Sequence, residues 1–86
     1  MATFFVRTDN ASFQTKTEIA EVTDAAAALA VGVRGAIFMA ADDISRGEPT
    51  AAVVIGVEDG LGAELLRSAV MVSVAPLTVR ETEQDN

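Results

Sequence analysis

The sequence has no cysteine, histidine, tryptophan or tyrosine. Without cysteine it can form no disulfide, no thiolate nucleophile and no cysteine-ligated zinc or iron–sulfur site. Without histidine it lacks the commonest general base, the commonest transition-metal ligand and a side chain that switches charge near neutral pH. Without tyrosine or tryptophan it offers no phenolic acid and no indole on which a base could stack. Its aromatic residues are four phenylalanines: Phe4, Phe5, Phe13 and Phe38. A chain without disulfides suits a reducing compartment, so the expected location is cytoplasmic.

Positive charge is also scarce. Six basic residues face thirteen acids, for a net charge of −7. The segment Arg80 to Asn86 holds −2 of this, which leaves −5 on the rest of the chain. Such a body repels polyanions, so nucleic acid is not an expected partner. Anionic membrane surfaces are disfavoured for the same reason. A basic protein is the partner that electrostatics favours. The opening Met1-Ala2-Thr3-Phe4 has no basic region followed by a long apolar run, so it does not read as a signal peptide. The longest weakly polar stretch, Ala25 to Ala41, is interrupted by Arg34, followed by Asp42-Asp43 and diluted by alanine and two glycines. It reads as a buried helix, too short and too weakly apolar for a membrane span.

With 86 residues the chain makes one domain, expected over residues 1–79 and followed by a disordered acidic tail at 80–86. Half of the residues are apolar, but many of these are alanine, so the core is thin. Small chains of this kind often gain stability by pairing with a copy of themselves.

Hydrophobic periodicity changes from two to helical and back. Thr3 to Thr8 reads as a strand, and Asp9-Asn10 as a turn. In Ser12 to Val22, Phe13, Thr15, Thr17 and Ile19 share one side, while Gln14, Lys16 and Glu18 share the other. Ile19 and Val22 fall out of phase, which places a bulge or the strand's end between them. Thr23 and Asp24 are both capping residues ahead of an alanine run, so a helix is expected from about Thr23 to Ser45. Its sheet-facing side is expected to carry Leu29, Val33, Ala36, Ile37, Ala40 and Ile44. Asp42 and Asp43 oppose the helix dipole, so the helix is expected to fray or end there, with Gly47 and Pro49 as its stop. Ala51 to Glu58, the turn Asp59-Gly60-Leu61-Gly62 and Glu64 to Ala75 form a second hairpin. The expected fold is therefore α+β: two antiparallel hairpins in one sheet, ββαββ, with one helix on one face.

No motif carries chemistry. Asp42-Asp43 supplies too few oxygens for a calcium ion, which takes about six to eight. Glu58-Asp59-Gly60 lacks the alternating acids of a calcium loop and reads as a hairpin turn. Gly60-Leu61-Gly62 is turn chemistry, and Gly32-Val33-Arg34-Gly35 is neither a dinucleotide fingerprint nor a phosphate loop. Two helical glycines disfavour a helix by about 1 kcal/mol each, which close approach of another backbone would offset; the alternative is that Gly32 simply faces the sheet. No pair of carboxylates is tied to a cleft, and Arg7, Arg34, Arg46 and Arg67 read as solvated or ion-paired. The chain is read as a non-enzyme with no catalytic, cofactor or metal residue.

Two surfaces carry surplus apolar residues. Val31 and Phe38 fall on the polar side of the helix, with Gly35 and Arg34 between them. Val54, Ala69, Met71 and Phe5 point away from the helix on the other face of the sheet. A contiguous apolar patch implies contact, so a homodimer is expected. Val31, Arg34, Gly35 and Phe38 are its expected interaction residues.

From Thr3 to Val74 the chain also resembles a family of short, mostly proteobacterial proteins of unknown function. The resemblance rests on Phe4-Phe5-Val6-Arg7, on Glu21-Val22-Thr23-Asp24 before the alanine-rich helix, on Asp43-Ile44-Ser45-Arg46-Gly47 and on Val57-Glu58-Asp59-Gly60. That family typically has Asp-Gly at the first turn and Pro-Asp before the helix, where this chain has Asp9-Asn10 and Thr23-Asp24. The resemblance implies a ββαββ domain and no known activity. The opening hairpin and the step into the helix are also distantly similar to HicB-type antitoxins, which are small, acidic and partner-binding. That likeness implies an acidic inhibitor of a small basic protein.

Titration calorimetry with zinc, calcium or ATP is expected to show no affinity at the micromolar level or tighter.

Overall fold

Residues of alternating polarity become strands, and the alanine run between them becomes a helix. The computed structural model describes residues 2–10 and 14–77. Strands β1 (Ala2–Asp9) and β2 (Gln14–Val22) form one hairpin, helix α1 (Ala25–Ser45) follows, and β3 (Thr50–Glu58) and β4 (Glu64–Ser73) form the second. All pairings are antiparallel and the sheet order is β2-β1-β3-β4. The two hairpins therefore join through their first strands, which leaves β2 and β4 as the edges. The helix leaves edge strand β2 and crosses the sheet to pack mainly on β3 and β4, less on β1 and least on β2. Phe13 and the acidic segment 80–86 lie outside the described residues.

The strands supply the bulk of the core. Phe4 and Val6 on β1 and Ala51, Val53, Ile55 and Val57 on β3 are buried on the helix-facing side, in the expected alternation. On β2 the same side carries Thr15, Thr17 and Ile19, where the Thr8 and Thr15 hydroxyls hydrogen-bond across the strand pair. The register of β2 slips between the pairs Phe4–Ile19 and Ala2–Val22, where the broken phase of Ile19 and Val22 places a bulge.

The helix meets this bulk with its smallest residues. Its buried positions are Ala28, Gly32, Ala36 and Ala40, one in every four. This corrects the expected face: Ala36 and Ala40 belong to it, Leu29, Val33 and Ile44 only flank it, and Ile37 is 51% exposed. Large side chains suggested the phase, but Val6, Val53, Ile55 and Val57 already fill the layer. The helix can then approach only through alanine and glycine. A Cβ on Gly32 would lie 2.7 Å from both Val6 Cγ1 and Ile55 Cγ2. Side chains, not another backbone, crowd this glycine.

The ends of the helix follow from capping chemistry. Asp24, not Thr23, is the N-cap, and its carboxylate accepts the Ala27 N–H at 2.8 Å. At the other end Gly47 adopts φ 101°, its N–H donates to Ile44 O and the Glu48 N–H donates to Asp43 O. This 5→2 and 6→1 pairing is a Schellman stop, with Pro49 just beyond it. The helix does not end at Asp42-Asp43 but runs on to Ser45, with Arg46 on Asp42 at 2.9 Å offsetting the misplaced charge. The helix is also not buried all round. Its outer half is exposed, and by length and composition alone it would suffice to cross a membrane. In the second hairpin Asp59 Oδ1 accepts from the Leu61 and Ala63 N–H groups, and Gly62 takes the left-handed φ of 88°. Strand β4 ends at Ser73, two residues short of its expected end.

The two helical glycines give opposite expectations. Gly32→Ala gains about 1 kcal/mol of helix propensity but overpacks stiff branched side chains, a cost of about 1–3 kcal/mol, and so destabilises on balance. Gly35→Ala meets nothing within 4 Å and stabilises, by about 0.5–1 kcal/mol. Urea unfolding of both variants at one low protein concentration checks the contrast in sign.

Candidate functional site

The outer surface of α1 brings together the four residues singled out in the sequence. Val31 is 40% exposed and Phe38 70% exposed. Arg34 and Gly35 are exposed between them. A Cβ on Gly35 would have no neighbour within 4 Å, so the helix surface is open there. Among the described residues the other cations are each in an ion pair: Arg7 and Lys16 with Glu58, Arg46 with Asp42 and Arg67 with Glu64. Arg34 has no ion pair among the described residues. Beside Val31, Gly35 and Met39 a groove of about 330 Å³ runs along the helix, over the exposed Thr15 and Thr17 of β2 and the buried Thr8 of β1.

The outer face of the sheet divides into two halves. Toward the end of β3 and β4 away from their turn it is apolar, with Val54 and Ala69 exposed and Met71 78% exposed. Toward the Asp59–Gly62 turn it is charged. Glu58 lies there 5% exposed, with Arg7 Nη1 3.0 Å from Oε2 and Lys16 Nζ 3.0 Å from Oε1. Its carboxylate ties β3 to β1 and β2, and the Lys16 ammonium sits 5.3 Å from the Phe5 ring centroid. The sequence places Glu58 at the last position of the strand Ala51 to Glu58, as found, but does not show its partners. The signal that could have found them is pleat parity: Arg7, Lys16 and Glu58 each fall on the outward phase of their strand.

Next to this clasp, Glu64 accepts two hydrogen bonds from Arg67, at 2.9 and 3.1 Å. A Cβ on Gly56 would lie 2.7 Å from Glu64 Oε2, the far end of a flexible, exposed side chain that can move aside. The hydrogen bond from Arg67 lowers the Glu64 carboxyl below its ordinary 4.5, and the same bond raises Arg67. The stability that Glu64 adds is thus present above its ordinary value and lost as pH falls through the lowered one. Exposure and solvent screening keep it small.

None of these arrangements has the form of a reacting centre. Both oxygens of Glu58 are taken by cations, with no nucleophile beside them. A cleft of about 640 Å³ at the C-terminal end of α1 is lined by Asp43, Arg46, Glu48 and Thr50 among others. No group of three or more acidic residues placed to hold a metal occurs among the described residues. No protein-family model, curated protein or solved structure matches the chain.

Glu58→Gln leaves two cations against a neutral amide in a buried position and is expected to lower stability by about 1–3 kcal/mol at neutral pH. Glu64→Gln leaves stability close to that of the wild type. Chemical unfolding of both variants checks the difference.

Proposed function

We propose that this chain is a non-enzymatic protein-interaction module that pairs with a second copy of itself through the outer surface of α1. The observation that carries this is Phe38, 70% exposed beside an open Gly35 on a helix whose other side is already committed to the sheet. Burying one phenylalanine side chain contributes about 1.5–3 kcal/mol, and a two-fold contact buries two. Like charge opposes pairing of two acidic chains, but between Ala25 and Ala41 the only ionisable residue is Arg34. The helix surface is thus where repulsion between copies is weakest. The ββαββ order agrees with the family resemblance, which brings no catalytic residue with it. The same reading has the chain cytoplasmic and free of nucleic acid. It also keeps the chain off the membrane, because the Ala28–Ala40 seam is used on the sheet.

A second reading, as an acidic inhibitor of a small basic protein, is favoured by the net charge of −7. It fits the distant likeness to antitoxins. Copurification of a small basic protein with the chain from its native host would favour it over self-pairing alone.

The wild type is expected to sediment as a dimer at tens of micromolar. Phe38→Asp is expected to sediment as a monomer with an unchanged circular dichroism spectrum. A monomeric wild type removes the proposal. A variant that stays dimeric moves the contact to another surface, with the Val54–Ala69–Met71 half of the sheet next in line.

A further inference from the structure

We infer that the two copies pair with their α1 helices antiparallel about a two-fold axis at Phe38, and that Arg34 of each copy meets Asp42 of the other. This rests on the self-pairing proposed above and adds its register. Arg34 is the cation that lacks an ion pair among the described residues, and it lies on the exposed side of the helix. Asp42 lies on the same side, eight residues on. It holds Arg46 through Oδ2 at 2.9 Å with more than half of its side chain exposed. A carboxylate accepts more than one donor, so Asp42 has capacity left for a second guanidinium.

The spacing selects the register. Phe38 stands midway, four residues after Arg34 and four before Asp42. Each four-residue step advances about 6 Å along the axis and drifts about 40° around it, so the three residues share one face. In a two-fold antiparallel pair, a residue before the axis meets the residue equally far beyond it on the other copy. With the axis at Phe38, the phenylalanines cover each other and Arg34 reaches Asp42 on both sides of them. Gly35 and the partner's Ala41 stand three residues from the axis at the same level, so they add no bulk beside the ring contact.

The other acids of the helix region do not achieve this. Pairing Arg34 with Asp24 moves the axis to Leu29, which sets Phe38 against a position beyond the helix and leaves it uncovered. Asp43 is half-buried on the sheet side. Charge and apolar bulk, which are independent features of this surface, therefore agree on one register. The ring contact supplies the affinity. The two rim ion pairs fix direction and partner choice, which is what exposed charges at an interface do best.

A charge-swap pair tests the register. Arg34→Asp places acid against acid at both contacts, and Asp42→Arg places base against base. Each variant alone is expected to pair at least about ten-fold more weakly than the wild type, by sedimentation or native mass spectrometry. An equimolar mixture restores both contacts with the correct sign, so it is expected to form the mixed pair almost exclusively and at wild-type strength. Variants that pair as tightly as the wild type, or a mixture without preference, overturn the register while a wild-type dimer keeps self-pairing intact. A monomeric wild type overturns both. Should either variant fail to fold, Arg34→Gln and Asp42→Asn replace them. Each is then expected to weaken pairing several-fold, and unchanged pairing by both overturns the register.

Discussion

The close approach of α1 to the sheet governs the rest of the structure. Val6 and Ile55 project into the space that a Cβ at position 32 would fill, so the helix can dock only along its seam of Ala28, Gly32, Ala36 and Ala40. A thin core results, because one partner in the contact supplies almost no side-chain volume. The larger side chains of the helix are displaced to its flanks and its outer surface. Leu29, Val33 and Ile44 half-cover the sheet from the side, while Val31, Ile37 and Phe38 are left facing out. The exposed phenylalanine is thus a direct outcome of how the core is filled.

The two sides of the sheet solve different problems. On the helix side, burial of branched residues from β1 and β3 holds the hairpins together. On the outer side no element among the described residues covers the strands, and near the second turn the cohesion comes from Glu58 shared between Arg7 and Lys16. A carboxylate that is nearly inaccessible would be costly without partners, and here each oxygen has one. The two clusters act on the same strand junction from opposite faces, since Val6 pairs with Val57 and Phe5 with Glu58. β1 and β3 are central, and both clusters bear on that junction.

The elements themselves were legible because each is written in a local code. Alternation in Ala51 to Val57, the carboxylate of Asp24 ahead of alanines and the glycine at 47 each act within a few residues, and each forms as read. The exposure of Val31 and Phe38 was legible for the same reason. The helix seam was not, because its phase depends on how much volume the sheet brings to the contact, and that is a tertiary quantity. Ile37 was assigned inward by helical phase, with Ala36 and Ala40, and lies outward. Glu58 was hidden for a related reason. Its neighbours Asp59-Gly60 signal a turn, whereas its role depends on Arg7 and Lys16, which come beside it only once strands from both hairpins are side by side. The strand order was open to the same degree, since either strand of a hairpin can offer an edge.

The junction of β1 with β3 also bears on how the chain folds. Each hairpin closes a short loop and can form with little loss of chain freedom. Joining them means bringing Phe5 to Glu58 across the second strand, the whole helix and the third strand, and that loop entropy is lost before any core contact between the hairpins repays it. The Val6–Val57 and Phe5–Glu58 pairs can form only once that long loop has closed, whereas the Asp59–Gly62 turn closes within a few residues of chain.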